Sequence, residues 1–262
     1  MNILLIGCGS MGGALLKGWL NADLPYTFAV AAPNKNNLDA IDSKLKWYQS
    51  PVAVPQGKFD VFVIGVTPMF LENILRDYKN HITENSLVIS MVAGKTIAIY
   101  KNIIPKTPVV RIMPNLPVSV QQGITICHTQ DTLSKAHKST VEALTSAVGK
   151  HAWLEEESLM NAATALAGCG PGFIFELTHT LAEVGKEIGL PRDVAETCAR
   201  QMVIGSGAHL AANDTNPKDL SQRVAHKGSM TEAGLDVLRK DDALKNLLLK
   251  TLAASVTRGK SF

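Results

Sequence analysis

Three glycines near the start of the chain have the spacing that phosphate chemistry asks for: Gly7, Gly9 and Gly12, in Gly7-Cys8-Gly9-Ser10-Met11-Gly12. In a Gly-x-Gly-x-x-Gly turn the first glycine permits a tight bend. The second lets backbone approach a pyrophosphate, and the third lets a helix pack close to a strand. The context fits. The apolar run Ile3-Leu4-Leu5-Ile6 leads into the loop, and Met11, Leu15, Leu16 and Trp19 follow at helical steps. A helix starting there presents unbonded N–H groups and its positive dipole end to an anion. Residues 7–12 are therefore candidates for holding a dinucleotide.

The stretch after the expected second strand bears on which dinucleotide. It reads Val30-Ala31-Ala32-Pro33-Asn34-Lys35-Asn36-Asn37, and no acidic residue lies between Leu24 and Leu38. An acid there would accept from a ribose 2′-hydroxyl and repel a 2′-phosphate, whereas Asn34 and Lys35, with Asn36, can accept the phosphate. NADPH is the expected cofactor, with NADH as the alternative. Further loops at strand ends should line the same crevice. They are Gly65-Val66-Thr67-Pro68, Ser90-Met91-Val92-Ala93-Gly94 and Arg111-Ile112-Met113-Pro114-Asn115-Leu116-Pro117. Val66, Thr67, Pro68, Ala93, Gly94 and Asn115 join the cofactor candidates.

A second helix start, Gly228-Ser229-Met230-Thr231, opens the helical pattern 231–238. Its first amides suit a carboxylate, and Thr231 reads equally as a helix N-cap. Cys8, Cys127, Cys169 and Cys198 form no C-x-x-C, and Cys8 and Cys169 read as small packing residues without a partner base. No His, Cys, Asp and Glu cluster has ligand spacing, so no metal is expected.

These loops need a scaffold. Apolar runs at 2–6, 27–32, 60–66, 86–91 and 108–112, with later ones at 123–127 and 150–154, read as strands. Helical stretches at 10–20, 69–80, 96–104 and about 132–148 alternate with them. Alternation predicts an α/β fold with a doubly wound, mostly parallel sheet. From about Glu155 only helices are expected. Phe173, Ile174, Leu177, Leu181, Val184 and Ile188 mark one of them, which Gly189-Leu190-Pro191 ends. The expected domains are 1–154 and 155–262. The second is all-helical, rich in Ala, Leu and Ile, and short for a free-standing globule, so a homodimer or higher homo-oligomer is expected. The net charge of +3 is small and scattered, which argues against nucleic acid. The opening apolar run is too short for a leader core or a membrane span. Four scattered cysteines suit a reducing, cytoplasmic setting.

The motifs together resemble the Δ1-pyrroline-5-carboxylate reductase family along nearly the whole chain. The segments that carry the likeness are Gly7 to Gly12, Val66-Thr67-Pro68, Ala93-Gly94-Lys95-Thr96-Ile97 and Arg111 to Pro117. Further on come Leu166-Ala167-Gly168-Cys169-Gly170-Pro171-Gly172-Phe173, Gly189-Leu190-Pro191-Arg192, Gly228-Ser229-Met230-Thr231 and Ala233-Gly234-Leu235. The resemblance implies a Rossmann domain followed by a helical dimerisation domain. It implies reduction of the cyclic imine of 1-pyrroline-5-carboxylate to L-proline, the last step of proline biosynthesis. It assigns Lys227, Gly228, Ser229, Met230 and Thr231 to the substrate, with Thr231 as the hydroxyl near the ring nitrogen, and it puts the acids Glu156 and Glu157 near the active site. The family loop usually reads Ser-Pro-x-Gly-x-Thr. Here His226, Lys227 and Ser229 replace its serine, proline and glycine, Arg223 replaces an amide, and Thr67 a common lysine. Two other readings remain. One is a related oxidoreductase acting on another small imine or a hydroxy acid, with Lys186 as a loose catalytic candidate. The other is an NADPH-binding regulator without turnover.

Overall fold

The computed structural model describes residues 1–35 and 45–260. These fall into two compact units. One comprises Met1–Cys169 together with the residues from Val256 onward, and the other is Gly170–Ser255.

The first unit is built on one sheet of eight strands. In chain order they are β1 (Asn2–Ile6), β2 (Thr27–Ala31), β3 (Lys46–Tyr48), β4 (Val61–Ile64), β5 (Leu87–Ser90), β6 (Val109–Met113), β7 (Gly123–His128) and β8 (Gly149–Leu154). Their spatial order is β3-β2-β1-β4-β5-β6-β7-β8, and every pair is parallel except β6 with β7. The order reverses between β1 and β4, and in such sheets ligands bind at that switch. Strands buried on both faces read as unbroken apolar runs, and alternate residues feed two cores. Ile3 and Leu5 face Leu15, Leu16 and Trp19 of α1 (Ser10–Asn21). Leu4 and Ile6 belong to the opposite core with Leu71, Leu75 and Tyr78 of α2 (Leu71–Tyr78), and with Ile97 and Tyr100 of α3 (Ile97–Lys101). Each fully buried side chain of this size contributes roughly 1.5–3 kcal/mol. Helix α4 (Lys135–Ser146) completes the first core through Val141 and Leu144. The buried Trp19 indole donates to the Leu144 carbonyl at 2.8 Å.

The seven expected strands are present, with bounds shifted by at most two residues. Strand β3 was not expected. It is three residues long, lies at the sheet edge and is only partly buried, so it carries no apolar run. After β8 come a short helix α5 (Met160–Ala163) and a π-helical turn, Thr164–Gly168.

The second unit is helical: α6 (Gly170–Glu187), α7 (Arg192–Ala211), α8 (Pro217–Val224), α9 (Met230–Arg239) and most of α10 (Ala243–Gly259). Helices α6 and α7 approach through small residues. A Cβ added at Gly185 would stand 3.0 Å from that of Ala195. Among the described residues the buried positions of these two helices are Ala182, Gly185, Ala195 and Ala199. Much of the expected apolar stripe faces outward: Ile174 is 46%, Leu177 50% and Ile188 78% exposed. Exposed patches of this kind mark interaction surfaces. No helix among the described residues is long and apolar enough to cross a membrane.

Candidate active site

The glycine loop has the geometry its spacing requires. Gly7 has φ +84°, and a Cβ on it would stand 2.6 Å from the Gly65 carbonyl oxygen. Gly12 is buried, 3.0 Å from the Gly7 oxygen by the same test, so a side chain there would push α1 off the loop. Gly9, the α1 N-cap, faces open space: nothing lies within 4 Å of an added Cβ. The first turn of α1 carries no acid, and no side chain caps it. Its N–H groups, which have no intrahelical acceptors, are left for a ligand. A phosphate fits this cradle.

Backbone hydrogen bonds gather the neighbouring loops at the same sheet edge. Gly7 N–H donates to Ala31 at the end of β2, and Gly65 N–H to Ile6 at the end of β1, both at 2.8 Å. Gly65 in turn lies 3.3 Å, by added Cβ, from the Met91 side chain. Loops 7–12, 65–68 and 91–94 are thus brought together within the first unit. Within them Cys8, Ser10, Met11, Val66, Thr67, Pro68, Ala93 and Gly94 are all half-buried or exposed. Asn34 and Lys35 are exposed beyond β2, with Lys35 Nζ 5.7 Å above the Trp47 ring. Asn36 lies outside the described residues.

Asn115 is placed differently. It is buried, its amide nitrogen donates to Ala167 O at 3.0 Å, and its oxygen accepts from Ile124 N at 2.9 Å. Its side chain is engaged in joining the loop after β6 to the π-helical turn. The resemblance puts Glu157 near the active site without naming its partners. Its Oε1 lies 2.6 Å from Arg111 Nη1 and also accepts from Ile97 N at 2.8 Å. Burial pushes the Cys8 thiol up and, with Glu142 nearby, the Cys127 thiol to about 12, so both stay protonated and unreactive. The loose candidate Lys186 pairs with Glu183 at 2.7 Å.

The second unit holds the other candidate loop. Capping of α9 belongs to Ser229 rather than Thr231: Ser229 Oγ accepts from Glu232 N at 3.0 Å. Glu232 folds back and accepts from Gly228 N at 2.6 Å, a reciprocal arrangement close to a capping box. Gly228 has φ +79°, and Ser229 N–H donates to His226 O. Of the four amides at 228–231, those of Gly228 and Ser229 are therefore used within the chain. Those of Met230 and Thr231 fall in the first turn, which has no intrahelical acceptors. Lys227, Met230 and Thr231 are exposed.

Comparison with known proteins gives two family-level matches. Residues 157–262 match "Pyrroline-5-carboxylate reductase dimerisation", and residues 2–94 match "NADP oxidoreductase coenzyme F420-dependent". A pyrroline-5-carboxylate reductase from Methanosarcina acetivorans is 30% identical over 268 residues, covering 97% of each chain. The structure of a pyrroline-5-carboxylate reductase from Coxiella burnetii superposes with a TM-score of 0.90 at 30% identity, over 99% of this chain and 97% of that one. A Plasmodium falciparum pyrroline carboxylate reductase with NADP bound shares the fold, with a TM-score of 0.82 at 24% identity, covering 100% of this chain and 97% of that one.

Proposed function

Because the chain belongs to the pyrroline-5-carboxylate reductase family, we propose that it reduces 1-pyrroline-5-carboxylate to L-proline with NADPH, and with NADH as a second donor. The observation that carries this reading is the likeness to such reductases from end to end, at 30% identity over 97% of the chain. The open, acid-free start of α1 and the acid-free turn after β2 support NADPH.

When bound, the cofactor supplies the hydride that the imine carbon receives. The residues of this chain do the rest. First-turn amides of α1 hold the pyrophosphate, with Gly9 giving it room. Asn34 and Lys35 face the 2′-phosphate. Val66, Thr67, Pro68, Ala93 and Gly94 flank the nicotinamide half, where orientation supplies much of the rate. Lys227 offers the substrate carboxylate a point charge, and the amides of Met230 and Thr231 offer it hydrogen bonds. Thr231 Oγ1 serves the ring nitrogen that gains the proton. We assign residues 1–154 to nucleotide binding and 155–262 to substrate binding and subunit association. The exposed apolar stripe of α6 supports a homodimer or higher homo-oligomer formed through the C-terminal helices, and free, dispersed cysteines support a cytoplasmic setting.

The test follows NADPH absorbance with purified protein and 1-pyrroline-5-carboxylate, then repeats it with NADH. Rapid substrate-dependent decay, faster with NADPH, is the expected result. Tight NADPH binding with no decay would overturn the reductase reading.

A further inference from the structure

The loop 91–96 leaves β5 and enters α3, and it is fastened at both ends by buried polar groups. At its start Ser90 Oγ pairs with the Tyr100 hydroxyl and accepts from Val92 N at 3.2 Å. At its end Thr96 is the N-cap of α3 but makes no side-chain cap. Glu157, sixty residues away in sequence, does that work instead by accepting from Ile97 N. The same Oε1 meets Arg111, which stands opposite Ser90 in the β5–β6 register. The Arg111 and Glu157 side chains are 7% and 16% exposed. Between the two fastenings Ala93 is exposed and Gly94, at φ +72°, is half-buried.

A buried ion pair contributes little net stability over apolar residues of the same size, because desolvation offsets the attraction. A remote carboxylate that replaces a missing cap has a sharper consequence, since it fixes where α3 begins and hence the path of 91–96. We propose that Glu157, charge-balanced by Arg111, is a positioning residue that holds loop 91–96 in the shape that receives the nicotinamide half of the cofactor. This rests on the assignment of Ala93 and Gly94 to the cofactor made above.

Two paired replacements separate this role from plain structural support. R111M/E157Q removes both charges but keeps an amide oxygen for Ile97 N. R111M/E157L removes the same two charges and leaves Ile97 N without an acceptor. NADPH Kd by calorimetry, KM for each reactant and kcat are read beside thermal unfolding. The expected result is near wild-type NADPH binding in R111M/E157Q. In R111M/E157L the NADPH Kd and KM should rise about tenfold, the loss expected from one hydrogen bond's worth of loop misplacement, with the KM for 1-pyrroline-5-carboxylate unchanged. Equal NADPH binding in the two folded double variants would overturn the proposal. E157D serves if R111M/E157L does not fold: it keeps the charge for Arg111 but draws the carboxylate back from Ile97. A raised NADPH KM in E157D supports the proposal, and an unchanged one sinks it. A wild-type protein that binds NADPH but leaves the imine untouched would defeat the reductase reading alone, and the NADPH titrations would still decide this one.

Discussion

Two helix starts in this molecule face the same electrostatic problem and solve it in opposite ways. At α1 the N-cap is Gly9, which offers no side chain, and the first turn holds no acid. At α9 the N-cap is Ser229, and Glu232 lays its carboxylate on Gly228 N. The first start is left open, at a small cost in helix stability, and its amides suit an anion that arrives from outside. The second is partly closed by an anion the chain carries itself. A helix N-terminus is thus a ligand site only to the extent that the local sequence declines to fill it.

The comparison can be broken most severely at Gly7. Gly7→Ala should abolish NADPH binding and cost at least about 2 kcal/mol of stability, since an alanine at φ +84° is strained and its Cβ meets the Gly65 carbonyl. Calorimetric titration and thermal unfolding check both, and unchanged NADPH affinity would remove the glycine loop from the site. Thr231→Val acts on the other start. It should lower kcat about a hundredfold while leaving the NADPH Kd alone, and single-turnover kinetics showing full activity would dismiss the hydroxyl as proton donor. Gly9→Asp converts the open start into a closed one. We expect NADPH to bind about tenfold more weakly while the unfolding midpoint stays level or rises, because aspartate is as good a cap or better. If affinity and stability fell together, the open cap would have no electrostatic role. The mildest change, Glu232→Gln, withdraws the intramolecular anion. The KM for 1-pyrroline-5-carboxylate should fall about threefold as competition for the loop's amides weakens, and a raised KM would mean that Glu232 helps to build the loop.

The first unit was largely legible in the sequence because its strands are buried on both faces, so that Ile3 to Ile6 or Val61 to Ile64 appear as plain apolar runs. Lys46–Tyr48 escaped because an edge strand of three residues needs no such run. Helix α8 escaped because it is short and polar, although Asn216 followed by Pro217 was a readable start: the Asn216 side chain accepts from Lys218 N. The pair Ser229 and Glu232 was readable too, as S-x-x-E, which places the cap two residues before Thr231. Asn115 lies in a motif that signals a ligand loop. Only the fold reveals that its amide is committed to Ala167 and Ile124. The Arg111–Glu157 contact joins residues 46 apart, and no local pattern announces it. Periodicity reports burial, whereas which polar atoms meet is decided by topology.

The first unit also draws on two stretches of chain, Met1–Cys169 and the residues from Val256 onward, separated by the 86 residues of Gly170–Ser255. The later stretch is not marginal: Gly259 and Lys260 line a cleft with Arg111, Glu157 and Asn161. During synthesis, at about 5–20 residues per second, the sheet is finished at Leu154 roughly 5–21 s before Gly259 can be laid. The sheet-bearing unit therefore passes through a period in which its strands are complete and the cleft beside its buried ion pair stands open to water, and it closes only after the helical unit has been made.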